Sequence, residues 1–362
     1  MDTSPVLLIT GFPGFLGSRL LPGLLEDRPD TRAVALVQPS WMEFARARLA
    51  TLSRNRPELD GRVELVPGDI TDPDLGGAVP TAGVREIVHL AAVYDLAVER
   101  GLAERVNVRG TEHVLAFAGR CDGLVCLHYM STCYVSGRYE GVFREQDLDV
   151  GQRFNNHYEA TKFEAEVAVR RAADEGLPVT VYRPSIVVGE RTSGRTDKAD
   201  GPYRVIRFLL RQPRVALTPL PGDPDRRQVN IVPVDYVEDA VRRISRLPEA
   251  RGGTYQLADP APPTIREFLS LLAEATGRRV VPLRLPPGLA RWATRFVPGV
   301  RRWTGIDEHT LAYFDHPTRY DTARARALLE PAGIRPPAPQ ELAPVLVEFL
   351  RTHPEVADRP MV

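Results

Sequence analysis

The stretch from Val6 to Gly17, VLLITGFPGFLG, constrains this chain more than any other. A short apolar run ends at Thr10, and Gly11, Gly14 and Gly17 follow at spacings of three before a helical pattern (Leu16, Leu20, Leu21, Leu24) begins. Glycine permits a tight turn and lets another backbone or a ligand approach closely. A strand that passes through such a turn into a helix presents uncapped helix N–H groups to an anion. The spacing is GxxGxxG rather than GxGxxG, and an ordinary strand–helix turn is the competing reading.

The rest of the first half repeats this alternation. Apolar runs suited to strands occur at Ala33–Val37, Val63–Pro67, Ile87–Leu90, Leu124–Met130 and Val179–Tyr182. Helical patterns cover Phe15–Leu25, Met42–Leu52, Leu102–Gly119 and Tyr158–Glu175. Short buried strands alternating with amphipathic helices imply an α/β fold of the Rossmann type, a doubly wound parallel sheet covered on both faces. Composition shifts at Gly189, where a polar, glycine-rich stretch begins, and again after Asp259. These shifts suggest a dinucleotide-binding domain of residues 1–190 plus about 228–250, and a smaller C-terminal substrate-binding part of about 191–227 and 251–362.

The 362 residues carry a formal net charge of +0, which argues against a nucleic-acid surface or a polybasic membrane anchor. Cys121, Cys126 and Cys133 show no metal-ligand spacing and suit free thiols in a reducing cytoplasm. No apolar run is long enough to span a membrane. His89, His128 and His157 have no partner spacing for a metal, so no metal site is expected and each reads as structural or surface.

Two clusters sharpen the phosphate-loop reading to a dinucleotide. Asp69 follows a strand in GDITD, where its carboxylate suits an adenine amine or a turn cap. Ala91 and Ala92 end another strand with side chains small enough for a cofactor to pass, although helix packing explains them as well.

The chemistry is expected further along. Tyr158 and Lys162 are four apart at the start of a helix, hence on one face. Only Lys162 and Lys198 are lysines among 47 Lys and Arg residues, which suggests that a compact ammonium is needed at position 162. A cation beside a phenol favours the phenolate and lowers its pKa, and the hydroxyl of Thr132 can orient a reacting oxygen.

Taken in order, TGFPGFLG, GDITD, HLAA, NVRGT, STCYVSG, YEATK and YRPSIVVG resemble the extended short-chain dehydrogenase/reductase family over about the first 260 residues. Asn156, RPSIVVG and VNIVPVDYVEDA make the chain most similar to the male-sterility type branch of fatty acyl-CoA reductases and thioester reductase domains. The resemblance implies that Tyr158 donates the proton, Lys162 binds the nicotinamide ribose and tunes Tyr158, and Thr132 polarises the carbonyl. It implies cofactor contacts from Phe12, Phe15 and Leu16 of the glycine loop, from Ile70 and Asn107, and from Pro184, Ser185, Ile186 and Val187 around the nicotinamide. Asp235 would organise the rim.

One position departs from the branch. Gln38 stands where members commonly carry an arginine for the 2′-phosphate, and no acidic residue is there to accept from a ribose diol. Ser40 with Arg46 or Arg48 could serve instead, so NADP(H) is favoured and NAD(H) remains open. Three activities compete: reduction of an acyl thioester (on CoA or a carrier protein) or its aldehyde, dehydrogenation or epimerisation of a sterol-like or sugar-nucleotide hydroxyl, and non-catalytic dinucleotide sensing. A homodimer is compatible with all three. The Arg-rich stretch Leu283–Ile306, with Trp292, Phe296 and Trp303, suits either an acyl-phosphopantetheine or CoA surface or an amphipathic packing helix. The segment from His316 resembles the part that closes over substrate in extended family members.

Overall fold

The structure is a computed structural model that describes residues 4–221, 223–285 and 315–356. Its centre is a seven-stranded parallel sheet of β1 (Val6–Thr10), β2 (Arg32–Val37), β3 (Val63–Pro67), β4 (Val84–His89), β5 (Cys126–Met130), β7 (Val179–Pro184) and β11 (Thr254–Leu257). The strand order is β11-β7-β5-β4-β1-β2-β3. Chain order reverses between β1 and β4, and ligands of open α/β sheets bind outside the carboxyl ends of strands at such a switch point.

Period-2 alternation divides each strand between two cores. Leu7 and Ile9 face α1 (Phe15–Glu26) and α7 (Val234–Ser245), whereas Val6 and Leu8 face α4 (Gly110–Ala118) and α5 (His157–Asp174). α2 (Met42–Asn55) follows β2, as its pattern predicts. The expected helix over Leu102–Gly119 is interrupted: α3 (Arg100–Ala103) leads into a π-helical turn, Glu104–Arg109, before α4.

A third core joins α6 (Pro202–Arg211), α8 (Ile265–Thr276) and α10 (Pro339–Thr352) through Phe208, Phe268, Leu272 and Leu346. Short strand pairs accompany it: β8 (Ile186–Val188) with β10 (Ile231–Pro233), and β9 (Val215–Pro221) with β12 (Arg279–Leu285). Two segments expected in the smaller part belong elsewhere. Strand β11 extends the main sheet by pairing with β7, and α9 (Ala323–Leu329) packs on β11 and α7 in the first core. Four residues with a buried Gln256 in the middle give no strand signal, which is why β11 was not expected.

Candidate active site

The glycine loop leaves β1 with Gly11 at φ +88°, a conformation that favours glycine. Its carbonyl accepts from the Gly14 N–H at 2.9 Å. A Cβ at Gly14 would lie 2.8 Å from that carbonyl oxygen, one at Gly17 2.6 Å from it, and one at Gly11 2.8 Å from the Ala91 nitrogen. The three glycines therefore let the loop fold on itself and press against the end of β4. α1 begins with no side-chain cap, so its first N–H groups remain to serve an anion in the crevice. Phe12 is buried, and Leu16 packs on the core beneath. Phe15 lines a cleft of about 200 Å³ with Arg19, Arg48, Glu190 and Asp197. Ala91 donates its N–H to the Thr10 hydroxyl at 3.2 Å, which ties the two strand ends together, and Ala92 follows it.

On the adenosine side, Gln38 Nε2 donates to Asp69 Oδ2 at 2.8 Å, and Asp69 Oδ1 accepts from the Thr71 N–H at 2.8 Å. Gln38 and Asp69 thus form one unit. Ile70 is buried against Gly110. Ser40 and Arg46 are exposed, whereas Arg48 is held by Asp197 at 2.7 Å. Of the two arginines offered for a 2′-phosphate, Arg48 is thus engaged across the site, its guanidinium reaching from α2 to the loop after β8, and Arg46 is the one left exposed. Asn107 is 1% exposed, accepts from the Val93 N–H at 2.8 Å and donates to Val93 O and Thr161 Oγ1, so its amide braces the site's wall.

The reacting groups converge from β5 and α5. Asn156 caps α5 by accepting from the Glu159 N–H at 2.9 Å, which places Tyr158 in the first turn. Tyr158 is hydrogen-bonded to Thr132, whose hydroxyl also accepts from the Tyr134 N–H at 3.2 Å. Burial raises the Tyr158 pKa, and the Thr132 contact draws it part of the way back. This corrects the expectation of a lowered phenol. Lys162 donates to Tyr129 Oη at 2.9 Å and to the Met130 carbonyl at 2.8 Å, and burial lowers its pKa to about 7. Beyond β7, Pro184 ends the strand, Ser185 carries a buried hydroxyl without a hydrogen-bond partner, and Ile186 and Val187 enter β8 half-buried. Asp235 binds Arg191 through its backbone N–H at 3.0 Å and its side chain, organising the rim loop.

The uncapped α1 terminus and the orphaned Ser185 hydroxyl suit a dinucleotide laid across the switch point. Among the described residues no group of three His, Cys, Asp or Glu could hold a metal ion. His89 is buried between Thr10 and Thr111, His128 between Tyr182 and Glu86, and His157 is exposed. All three cysteines are free and buried.

Sequence reasoning missed Tyr94. Its ring meets Tyr158 edge-on at 5.0 Å, and Lys198 stands 4.3 Å from its face while paired with Asp200. The position of Tyr94 just after HLAAV was the available signal. His316 packs on Tyr134, and β13 (Thr318–Tyr320) pairs with β6 (Gly141–Phe143), so this segment borders the site. Trp292, Phe296 and Trp303 lie outside the described residues, as does most of Leu283–Ile306.

Comparison with known proteins gives the family and agrees with the fold. The male sterility protein family model matches residues 9–241. Glycine betaine reductase ATRR of Emericella nidulans is 27% identical over 82% of this chain and 24% of its own length. The chain spans about a third or less of the length of curated relatives that it matches. The terminal R domain from the myxalamid PKS-NRPS biosynthetic pathway superposes with a TM-score of 0.81 at 26% identity, over 99% of this chain and 93% of that one. A thiolation-reductase di-domain from an archaeal non-ribosomal peptide synthetase shares the fold, with a TM-score of 0.72 at 19% identity over 97% of this chain and 91% of that one.

Proposed function

The chain belongs to the male sterility protein family of extended short-chain dehydrogenases/reductases and is an NAD(P)-dependent reductase, and on that premise we propose that it reduces an acyl thioester, or the aldehyde derived from it, with NADPH. The full-length likeness to a terminal R domain supports a thioester borne on a pantetheine arm, of CoA or a carrier protein, over a sugar nucleotide.

The bound cofactor would supply hydride to the carbonyl carbon. Tyr158, kept protonated by burial, gives its proton to the carbonyl oxygen as negative charge develops there. Thr132 orients that oxygen, and the Lys162 ammonium stabilises the phenolate left behind. With a thioester, the hemithioacetal so formed collapses as its O–H proton passes, by way of the Tyr158 phenolate, to the departing sulfur, which releases thiol and leaves aldehyde. The glycine loop and the α1 terminus hold the pyrophosphate, and Ser185 offers its hydroxyl on the nicotinamide side.

With Arg48 engaged by Asp197, the preference for NADPH rests on Ser40 and Arg46. One charge-assisted hydrogen bond corresponds to roughly ten- to a hundred-fold in affinity. The test titrates NADPH and NADH and then follows NADPH oxidation with acyl-CoA, aldehyde and sugar-nucleotide substrates. Tighter NADPH binding and turnover of the first two are expected. Tighter NADH binding together with turnover of sugar nucleotides alone would refute the reading.

A further inference from the structure

Tyr158, Lys162, Glu166 and Arg170 follow one another at intervals of four along α5, so the line that carries the two reacting groups continues into a carboxylate and a guanidinium. Glu166 is fully buried. Ser131, the neighbour of Thr132, donates its hydroxyl to Glu166 Oε2 at 2.5 Å. Arg183, also fully buried and next to Pro184, donates Nη2 to Oε1 at 2.7 Å and Nε to both oxygens at 3.1–3.2 Å. Arg170 adds a bond from Nε at 3.1 Å. Arg183 further donates to the Asp147 carbonyl at 2.7 Å and lies 5.1 Å from the Phe143 ring. One carboxylate therefore joins α5, the loop that bears Thr132 and the strand end that leads to Ser185.

Buried ion pairs contribute little net stability compared with well-packed apolar replacements, so the place of this one beneath the reacting groups calls for another reason. We infer that Glu166 is a positioning residue of the reduction: it fixes Thr132 relative to Tyr158 and supplies a negative charge that favours the ammonium form of Lys162. This rests on the assignment of Tyr158 and Lys162 above.

The surroundings of Lys162 support the electrostatic half. On α5 it has Glu166, with Tyr158 one turn back on the same face, and on β5 the Tyr129 phenol and the Met130 carbonyl. On β4 it faces His89, which burial and the Lys162 charge lower to about 3, and on α4 the Thr111 hydroxyl bonded to His89. Arg183 on β7 and Arg170 stand behind Glu166. Within this set Glu166 carries the charge opposite to Lys162, and it raises the ammonium's pKa against the pull of burial.

The test measures NADPH affinity against pH, since an ammonium that binds the ribose loses its hold as it deprotonates. Wild type should show a midpoint near the Lys162 pKa of about 7, absent in Lys162→Ala. Glu166→Gln should move it down by about one unit or more. Ser131→Ala, which deletes one hydrogen bond and no charge, should lower turnover of a medium-chain aldehyde roughly tenfold while NADPH affinity stays within about twofold. If Glu166→Gln does not fold, Ser131→Ala decides. A midpoint that persists in Lys162→Ala, or is missing from wild type, overturns the assignment of Lys162. A midpoint lost in Lys162→Ala but unmoved in folded Glu166→Gln, or full turnover in Ser131→Ala, overturns the role of Glu166 alone.

Discussion

Tyr158 is a phenol that holds its proton at neutral pH, burial holds that proton more firmly by disfavouring the phenolate, and a developing alkoxide requires it. Tyr158→Phe should lower turnover by about two orders of magnitude or more while NADPH affinity stays within about twofold, as single-turnover kinetics and calorimetry would check. Lys162 shows the cost of such a site. Its folded pKa of about 7 lies below its ordinary value, so at higher pH the unfolded chain binds a proton that the folded one does not. It therefore makes stability rise from about pH 7 toward the ordinary lysine range. Lys162→Met should flatten that rise, read as thermal midpoints between pH 7 and 9. The pair was legible because helical spacing is local. The partners were not: Gln38 with Asp69, Arg48 with Asp197 and Tyr94 with Tyr158 are separated by tens of residues or more and carry no periodic signal. The Gln38–Asp69 bond also changes the outlook for cofactor selectivity. Gln38→Arg keeps a donor to Asp69 and should widen the preference for NADPH, as competitive titration would show. Gln38→Asp sets two carboxylates together and is a poor route to NADH.

At the scale of elements, the glycine loop is a packed object as well as a cradle. A valine at position 14 would push its Cβ into the Gly11 carbonyl at 2.8 Å and its branches toward the α1 terminus. Gly14→Val should abolish detectable NADPH binding by calorimetry, and unchanged affinity would make the turn structural only. The strand–glycine–helix alternation was readable because buried parallel strands and amphipathic helices differ in period and length. The π turn at Glu104–Arg109 was not readable, since the helical pattern runs through it unbroken, yet it lies where Asn107 reaches Val93 and Thr161. The strand expected over Val179–Tyr182 runs on to Pro184, whereas β11 is too short and too polar to stand out.

For the molecule as a whole, the division of labour lies between the sheet with its two covering layers and the core of α6, α8 and α10. Leu346 is fully buried in that third core, away from the glycine loop. Leu346→Ala should destabilise the protein by about 2–5 kcal/mol in chemical denaturation while NADPH affinity is retained. The switch-point crevice followed from the order of elements, but the substrate side depends on how distant helices meet, which sequence patterns do not report. The central claim is thioester reduction by the Thr132, Tyr158 and Lys162 site, and one measurement tests it most directly: NADPH consumption with a long-chain acyl-CoA, with product aldehyde or alcohol and free thiol quantified, for wild type and Tyr158→Phe. The account predicts, in wild type, one thiol per NADPH where aldehyde is the product and one per two NADPH where alcohol is, and near-loss of both in the variant. Undiminished consumption by Tyr158→Phe, or NADPH oxidation by wild type without thiol release, would contradict it.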